Sequence, residues 1–317
     1  MPKLLVIKPS SLGDIIHGLQ ALAVFKEKEP DLEVTWVVRT LFADLVEGSP
    51  LVDSIIPFRR EDGWQGFREV CREVRNWRGD CVWDLQGLAR TGIWTHLAKG
   101  ERKLGRRDAR EGARWFYPET VALPPGGKMA HALDVLLAFP EAMGVVSKEV
   151  PKLVLGDEAL DEEFESFVSS YPHPIFVFPE SRRAEKCWTG FDSLICRLLE
   201  EGRSVAVFGT GAPVLSRREG CYDGRGKHSL KALCGLMRRA RAVVANDSGP
   251  MHLAAALGIP TLALFGPTDP VRYGPWPSSR ATNRVVRGEG GDLSSVRVEE
   301  VMSVLEELTS LAIKGTG

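Results

Sequence analysis

The chain has 317 residues, of which 44% are hydrophobic, and its 41 lysines and arginines against 42 acidic residues give a net charge of −1. This length is sufficient for two domains with separate cores, and the balanced charge argues against a nucleic-acid partner. Six cysteines without CxxC pairs or zinc-type spacing indicate reduced thiols in a cytosolic protein. Met1 leads directly into a predicted strand, and no stretch reaches the roughly 18 apolar residues of a membrane span. We therefore expect a soluble, cytoplasmic protein.

The first half of the chain predicts alternating strands and helices. Residues 3–8 form an apolar strand, and Pro9 to Asp14 turn into a helix over residues 15–28, which opens a βαβ unit. Further strands are predicted at 33–38, 52–57 and 80–85, and further helices at 41–47, 66–77 and 129–143, the last kinked or ended by Pro140. Such alternation favours a parallel sheet with helices on both faces.

The stretch 101–114 carries six basic and three acidic residues. A solvated surface is the ordinary interpretation of such a charge run. Several arginines near a binding site would equally suit an anionic ligand.

The second half repeats the same organisation. The domain boundary is predicted between residues 145 and 172, which gives domains of 1–155 and 156–317, both doubly wound, with the terminal helix free to pack back on the first domain. Residues 209–227 are predicted as a loop. The predicted strands are 175–178, 204–208, 242–245 and 261–265, and the predicted helices are 157–171, 191–201, 229–238, 251–257 and 298–313.

Residues 246–270, NDSGPMHLAAALGIPTLALFGPTDP, have the pattern of a ligand-binding turn. Asp247 or Ser248 is predicted to cap a helix with Pro250 in its first turn, and Gly249 lets the backbone approach a ligand. The free N–H groups and dipole of a helix start favour a phosphate there, at the carboxyl end of a buried strand. The alternative interpretation is an ordinary helix cap without a ligand.

Four segments together resemble bacterial glycosyltransferase family 9, the ADP-heptose:lipopolysaccharide heptosyltransferases. They are VIKPSSLGDIIHGLQAL at 6–22, WDLQG at 83–87, ESRRAEKCW at 180–188 and the stretch 246–270. The resemblance implies a GT-B fold of two Rossmann-like domains with a cleft between them, the first binding the acceptor and the second the nucleotide sugar. The SSLGD turn is more similar to enzymes that add the first heptose than to those that add the second.

The resemblance also implies the substrates and the setting. The donor is ADP-L-glycero-D-manno-heptose, and the acceptor is Kdo-lipid A or inner-core lipopolysaccharide. Transfer inverts the anomeric carbon without a metal or other cofactor. Peripheral contact with the cytoplasmic face of the inner membrane is expected, and a nucleic-acid partner is not.

Inverting transfer needs a carboxylate that takes the proton of the acceptor hydroxyl. Asp14 matches the position of the family's proposed base, and its alternative role is an ordinary helix N-cap. Ser10, Ser11 and Gly13 shape the same turn on the acceptor side. His17, one turn into the helix, either faces the acceptor or has a structural role.

The departing nucleoside diphosphate needs positive charge and hydrogen-bond donors. Lys186 matches the family lysine that contacts the diphosphate, although a solvated surface position is the common fate of a lysine. The other predicted donor-binding residues are Ser181, Arg182, Asp247, Ser248, Gly249 and His252, with Arg183 as a further candidate. Planar guanidinium groups suit the carboxylates or phosphates of the acceptor, and the predicted acceptor-binding arginines are Arg59, Arg60, Arg106, Arg107 and Arg110.

One position departs from the family pattern. Leu215 stands where the first heptosyltransferase has a glutamate that holds the ribose, and Glu219 is the candidate substitute. Two alternatives therefore stay open beside the transferase: a GT-B-fold sugar-nucleotide epimerase, and a binding protein for nucleotide or glycan without turnover. Acceptor-independent consumption of nucleotide sugar would favour the epimerase.

Overall fold

The computed structural model describes residues 1–147, 149–156, 161–211 and 218–314 of the chain. Contacts divide the chain into two compact units, Met1–Leu155 and Gly156–Gly317. Each unit contains its own six-stranded sheet, and every strand pair in both sheets is parallel.

The first unit alternates strands with helices. Its strands are β1 Lys3–Ile7, β2 Glu33–Arg39, β3 Ser54–Phe58, β4 Arg78–Asp84, β5 Lys99–Arg106 and β6 Glu119–Val121. Its helices are α1 Leu12–Lys26, α2 Ala43–Glu47, α3 Gly63–Asn76, α4 Ala89–Leu97 and α5 Ala132–Ala142.

The strand order β3-β2-β1-β4-β5-β6 is that of the dinucleotide-binding doubly wound fold. The order reverses between β1 and β4, which pair with Leu4 opposite Cys81 and Ile7 opposite Asp84. Ligands of such sheets bind beyond the carboxyl ends of the strands at this reversal. The turn into α1 and the residues after β4 therefore occupy the expected ligand position of the first unit.

The first sheet is buried on both faces, because its central strands are apolar at successive positions. On one face Leu5, Ile7 and Val82 pack with Val70 of α3 and Trp94 of α4. On the other face α1 and α5 contribute Phe25 and Phe139, whose rings lie 5.0 and 5.7 Å from that of Trp83. Gly18 lets α1 approach the sheet closely, since a Cβ there would lie 2.9 Å from the Trp36 ring.

The second unit repeats this architecture. Its strands are β7 Ile175–Phe178, β8 Val205–Val207, β9 Cys221–Asp223, β10 Ala242–Asn246, β11 Thr261–Phe265 and β12 Asn283–Arg287. Its helices are α6 Glu162–Ser170, α7 Phe191–Glu200, α8 Leu230–Met237, α9 Gly249–Leu257, α10 Pro270–Tyr273 and α11 Val298–Lys314.

The second sheet has the order β12-β11-β10-β7-β8-β9 and reverses between β7 and β10. One of its faces packs against α7 and α11, with Leu194, Val301 and Leu305 in the same apolar cluster. Phe164 of α6 packs across the other face against Phe176, at 6.0 Å between ring centroids. The prediction of two doubly wound α/β units is confirmed.

Several element boundaries differ from the prediction. Helix α1 begins at Leu12 rather than residue 15, and part of the basic run 101–114 forms β5. The predicted loop 209–227 contains β9, and residues 157–160 and 212–217 lie outside the described residues. Among the helices in the described ranges, none combines the length and apolar character needed to cross a bilayer.

Candidate active site

Asp14 lies in the first turn of α1, immediately beyond the carboxyl end of β1. The helix begins after Ser11, so Ser11 occupies the N-cap position and Asp14 is the third helical residue, which corrects the alternative that Asp14 is the N-cap. Asp14 Oδ2 accepts hydrogen bonds from the Ser11 N–H at 3.1 Å and the Ser11 hydroxyl at 2.7 Å. A carboxylate at this position reaches back to the exposed N–H of the cap residue, as in a capping box.

Lys8 supplies the second fixed contact of Asp14. Its ammonium lies 3.2 Å from Asp14 Oδ1 and 3.2 Å from the Leu85 carbonyl oxygen, and the lysine side chain is 2% exposed. Partial burial opposes ionisation of Asp14, but the Lys8 charge, the Ser11 hydrogen bonds and His17 hold the pKa of its carboxyl well below the usual range. Because 43% of the Asp14 side chain is exposed, an ionised carboxylate is presented to solvent.

Replacing Lys8 by methionine is expected to raise the pKa of Asp14, because the nearest positive charge is removed. As the pH falls, Asp14 therefore takes up its proton at a higher pH in the variant than in the wild type. Carboxyl-carbon NMR titration measures both values. Lys26→Met, which removes a lysine paired with Asp53, is the matched control, and an unchanged pKa of Asp14 in Lys8→Met would exclude this electrostatic role.

Asp84 forms a buried network beside this pair at the end of β4. It accepts hydrogen bonds from the N–H groups of Gln86 and Gly87 at 2.9 and 3.0 Å and from the Tyr117 hydroxyl at 2.6 Å. Burial raises the pKa of Asp84, although these donors favour its ionised form. The network fixes the turn whose Leu85 carbonyl receives Lys8.

Arg106 is the predicted acceptor-binding arginine that the structure places beside Asp14. Its guanidinium pairs with both oxygens of Asp108, at 2.9 and 2.8 Å, and also lies 3.4 Å from the Leu85 carbonyl oxygen. Arg106 and Lys8 thus converge on one carbonyl group. The four remaining predicted arginines are exposed on the loops after β3 and β5: Arg59, Arg60, Arg107 and Arg110.

His17 is 3% exposed and packs edge-on against His131, with ring centroids 5.4 Å apart. His131 Nδ1 accepts a hydrogen bond from the Leu133 N–H at the start of α5. This packing favours the structural role for His17 over direct contact with an acceptor. Ser10 is half-buried in the same turn, and Gly13 is buried.

In the second unit, Lys186 and Asp247 meet beyond the carboxyl ends of β7 and β10. Lys186 Nζ lies 2.6 Å from Asp247 Oδ2, which also accepts a hydrogen bond from the Thr268 hydroxyl at 2.6 Å. The Ser181 hydroxyl donates to the Asp247 carbonyl oxygen at 3.3 Å. The lysine side chain is 17% exposed and that of Asp247 is 7% exposed, so Lys186 is a partly buried, paired group rather than a solvated surface lysine.

Asn246 connects the loop after β7 to the end of β10. Its side-chain amide donates to the Pro179 carbonyl at 2.8 Å and accepts from the Trp188 N–H at 3.1 Å. The amide thereby ties both ends of the loop after β7 to the end of β10. Asn246 lies in the 246–270 motif without a predicted role, although a polar residue at the end of an apolar strand is a sequence signal for one.

The start of α9 has one of the two predicted residues, Ser248, at the N-cap position and keeps Pro250 in its first turn. The helix begins at Gly249 rather than residue 251, and Ser248 makes no side-chain capping hydrogen bond. The Ser248 hydroxyl oxygen is buried and has no hydrogen-bond partner within the part of the chain that the structure describes. The Asp247 carboxylate points to Lys186 instead of the helix. His252 is half-buried one turn into α9, while Arg182 is exposed on the loop after β7.

Glu180 links the loops after β7 and β8. Its carboxylate accepts hydrogen bonds from the N–H and hydroxyl of Thr210 at 2.7 Å each and from the Gly211 N–H at 2.6 Å. Partial burial acts to raise the pKa of the Glu180 carboxyl, but these hydrogen bonds favour its ionised form, and the pKa is lowered. Leu215, the departure from the family pattern, lies outside the described residues, and its candidate substitute Glu219 accepts from the Tyr171 hydroxyl at 3.3 Å.

Within the described ranges, no group of three or more His, Cys, Asp or Glu side chains is arranged to hold a metal ion.

Comparisons with known proteins agree with this architecture. The family model of glycosyltransferase family 9 (heptosyltransferase) matches residues 67–302. Lipopolysaccharide heptosyltransferase 1 of Pseudomonas aeruginosa is 31% identical, over 84% of this chain and 79% of its own.

Two solved structures extend the likeness over nearly the whole chain. The glycosyltransferase family 9 protein of Veillonella parvula has a TM-score of 0.81 and 24% identity, covering 98% of this chain and 97% of its own. The E. coli heptosyltransferase WaaC with ADP-2-deoxy-2-fluoro heptose has a TM-score of 0.77 and 25% identity, covering 96% and 99%. From its family model, its relatives and its two Rossmann-like units, this chain belongs to glycosyltransferase family 9, the heptosyltransferases.

Proposed function

We propose that this glycosyltransferase moves a heptose from ADP-L-glycero-D-manno-heptose to the Kdo region of the lipopolysaccharide inner core, with inversion at the anomeric carbon. Two groups carry the proposal. The exposed, ionised carboxylate of Asp14 lies at the sheet reversal of the first unit, and the Lys186 ammonium, paired with Asp247, lies at the sheet reversal of the second unit. The family supports a heptosyl donor, and the WaaC structure was solved with an ADP-heptose analogue. These comparisons do not favour the epimerase alternative.

Asp14 acts as the base. The acceptor hydroxyl oxygen forms a bond to the anomeric carbon, the bond from that carbon to the diphosphate oxygen breaks, and the hydroxyl proton passes to Asp14. A carboxylate with a low pKa is a weak base, but the hydroxyl becomes strongly acidic as it bonds to the oxocarbenium-like centre. Lys8 and Ser11 therefore contribute by keeping Asp14 ionised and fixed in position.

Lys186 and the start of α9 stabilise the negative charge that develops on the departing ADP. The Lys186 ammonium, the first N–H groups of α9 and the unpartnered Ser248 hydroxyl are donors suited to phosphate oxygens. Asp247 carries the wrong charge to bind a phosphate. We assign its carboxylate to positioning Lys186, which revises its predicted contact with the ligand.

The acceptor binds on the first unit, where Arg106 converges with Lys8 on the Leu85 carbonyl. The exposed arginines after β3 and β5 extend this positive charge along the same sheet edge. Carboxylates and phosphates of a Kdo-lipid A acceptor match such guanidinium groups. The acceptor is a membrane lipid, so the enzyme works in peripheral contact with the cytoplasmic face of the inner membrane.

A two-acceptor assay tests this assignment. With ADP-heptose as donor, Kdo-bearing lipid A should be heptosylated, whereas the same acceptor already carrying one heptose should not. The opposite preference would assign the protein to addition of the second heptose. Donor binding without turnover of either acceptor would instead support the non-catalytic alternative.

Transfer is expected to proceed without a bound metal, because Lys186 and the helix start provide the charge and donors that the diphosphate needs. Treatment with EDTA followed by gel filtration should leave kcat for heptosyl transfer unchanged. Added Mg²⁺ should not raise it. Loss of turnover on chelation, restored by one divalent ion, would contradict this expectation.

A further inference from the structure

Gln86 lies in the WDLQG segment, just beyond the carboxyl end of β4. Its side-chain amide oxygen is buried and has no hydrogen-bond partner anywhere in the described ranges. A buried acceptor without a donor lowers stability, because the oxygen loses its hydrogen bonds to water and gains none in the protein. Such a group in a folded protein needs an explanation, and a ligand that donates to the oxygen provides one.

Several hydrogen bonds fix the backbone of Gln86. The Asp84 carboxylate accepts hydrogen bonds from the N–H groups of Gln86 and Gly87, at 2.9 and 3.0 Å. The Gly87 carbonyl oxygen accepts one from the Arg110 N–H at 2.9 Å. Gly87 has a φ of 72°, a left-handed conformation that glycine adopts without strain. A side chain carried on a fixed backbone is well suited to hold a ligand in one orientation.

The neighbouring carboxylate of Asp84 is fully paired. The Tyr117 hydroxyl donates to its second oxygen at 2.6 Å. Gly105, the partner of Asp84 in β5, leaves room for the tyrosine ring, because a Cβ at this position would overlap it. The turn after β4 therefore satisfies both oxygens of the buried carboxylate but leaves the amide oxygen of Gln86 without a donor.

Gln86 lies close to the proposed base. The carbonyl group of Leu85, in the peptide bond to Gln86, accepts a hydrogen bond from the Lys8 ammonium at 3.2 Å. The same ammonium lies 3.2 Å from Asp14 Oδ1, and the Arg106 guanidinium lies 3.4 Å from the same carbonyl oxygen. A single ammonium group thus connects this peptide bond to the Asp14 carboxylate. Gln86 therefore belongs to the sheet reversal of the first unit, where the acceptor is proposed to bind.

We propose that the Gln86 amide binds a hydroxyl group of the acceptor sugar other than the one that attacks the donor. Ionised carboxylates and phosphates cannot donate to an amide oxygen, whereas sugar hydroxyls can. Fixing a second hydroxyl sets the rotation of the sugar, so that the attacking hydroxyl faces Asp14. The inference rests on the proposed function, because it names a contact between this chain and the acceptor of that reaction.

The variant Gln86→Met tests this contact, because it replaces the amide by an apolar side chain of similar length. In steady-state kinetics, kcat/KM for the acceptor should fall about three- to tenfold, the usual effect of losing one neutral hydrogen bond. Affinity for ADP should not change. The melting temperature should be equal or higher, because an unpaired buried acceptor is removed. Gln65→Met makes the same change at an exposed position of α3 and should leave all three quantities unchanged.

Monodeoxy analogues of the Kdo acceptor separate a substrate contact from a structural role. Among the analogues that still react, the one without the partner hydroxyl should be used equally well by the wild type and by Gln86→Met, because neither can form the contact. The other analogues should lose as much as the full acceptor does. Equal loss on every analogue, above all with a lower melting temperature, would assign Gln86 to the fold and overturn the proposal.

The same measurements distinguish failure of this contact from failure of the proposed function. Wild-type transfer to the full acceptor with an equally active Gln86→Met would remove the Gln86 contact and leave the proposed function in place. A wild-type protein that transfers heptose to none of the acceptors would remove the proposed function and, with it, the acceptor contact.

Discussion

Asp14→Asn is expected to lower kcat for heptosyl transfer about 10²- to 10⁴-fold, the usual contribution of a general base. Asparagine preserves the shape of the side chain and its carbonyl oxygen can still accept from Ser11, but it cannot take the acceptor proton. Affinity for ADP should be unchanged, because the proposed diphosphate contacts lie in the other unit. Steady-state kinetics and calorimetric titration with ADP measure the two effects.

The controls for Asp14→Asn address folding as well as charge. Removing the carboxylate leaves the buried Lys8 ammonium with the Leu85 carbonyl as its remaining contact, so a loss of about 1–3 kcal/mol in unfolding free energy is expected. Thermal unfolding therefore accompanies the kinetics. Asp44→Asn makes the same change at an exposed position of the first unit and should leave turnover intact. A wild-type rate for folded Asp14→Asn would exclude Asp14 as the base.

Lys186→Met is expected to weaken ADP binding about 10- to 100-fold. A hydrogen bond to a charged group contributes roughly 1.5–3 kcal/mol, and each 1.4 kcal/mol changes affinity about tenfold. In the proposed site, the loss of Lys186 also leaves the Asp247 carboxylate with only Thr268 as a described partner. We expect repulsion between this carboxylate and the diphosphate to weaken ADP binding further. Calorimetry with ADP measures the change directly.

Two further variants sharpen this test. Lys227→Met removes another paired lysine of the second unit, 2.8 Å from Glu163, and should leave ADP affinity unchanged. Adding Asp247→Asn to Lys186→Met should recover part of the affinity, because the unpaired negative charge is removed. Unchanged affinity in Lys186→Met would remove this lysine from the site, and a further loss in the double variant would show that Asp247 itself contacts the ligand.

The sequence predicts the elements with strong apolar patterns well, such as β1, β7 and β11, because a buried parallel strand is apolar at successive positions. It does not predict β5, whose residues KGERKLGR are mostly charged and have only Leu104 and Gly105 buried. The three-residue strands β6 and β9 carry too little pattern to be recognised. Their existence depends on pairing with the neighbouring strand, which local sequence does not encode.

The residues of the candidate site are likewise predicted only in part from the sequence. The family motifs locate Asp14 and Lys186, but their partners depend on tertiary packing. Lys8 is six residues from Asp14 and lies buried at the end of an apolar strand, an environment that lysine rarely occupies. Lys186 and Asp247 are 61 residues apart and meet because β7 and β10 are neighbours at the sheet reversal. The earlier start of α1 had a sequence signal, the three-residue spacing of Ser11 and Asp14.

The most direct test of the proposed transfer is ADP release and product mass after purified protein is mixed with ADP-L-glycero-D-manno-heptose, with and without Kdo-bearing lipid A. We predict ADP release only when the acceptor is present, together with a product heavier by one heptose. Consumption of the nucleotide sugar without acceptor, or saturable ADP binding without any product, would contradict the transferase account.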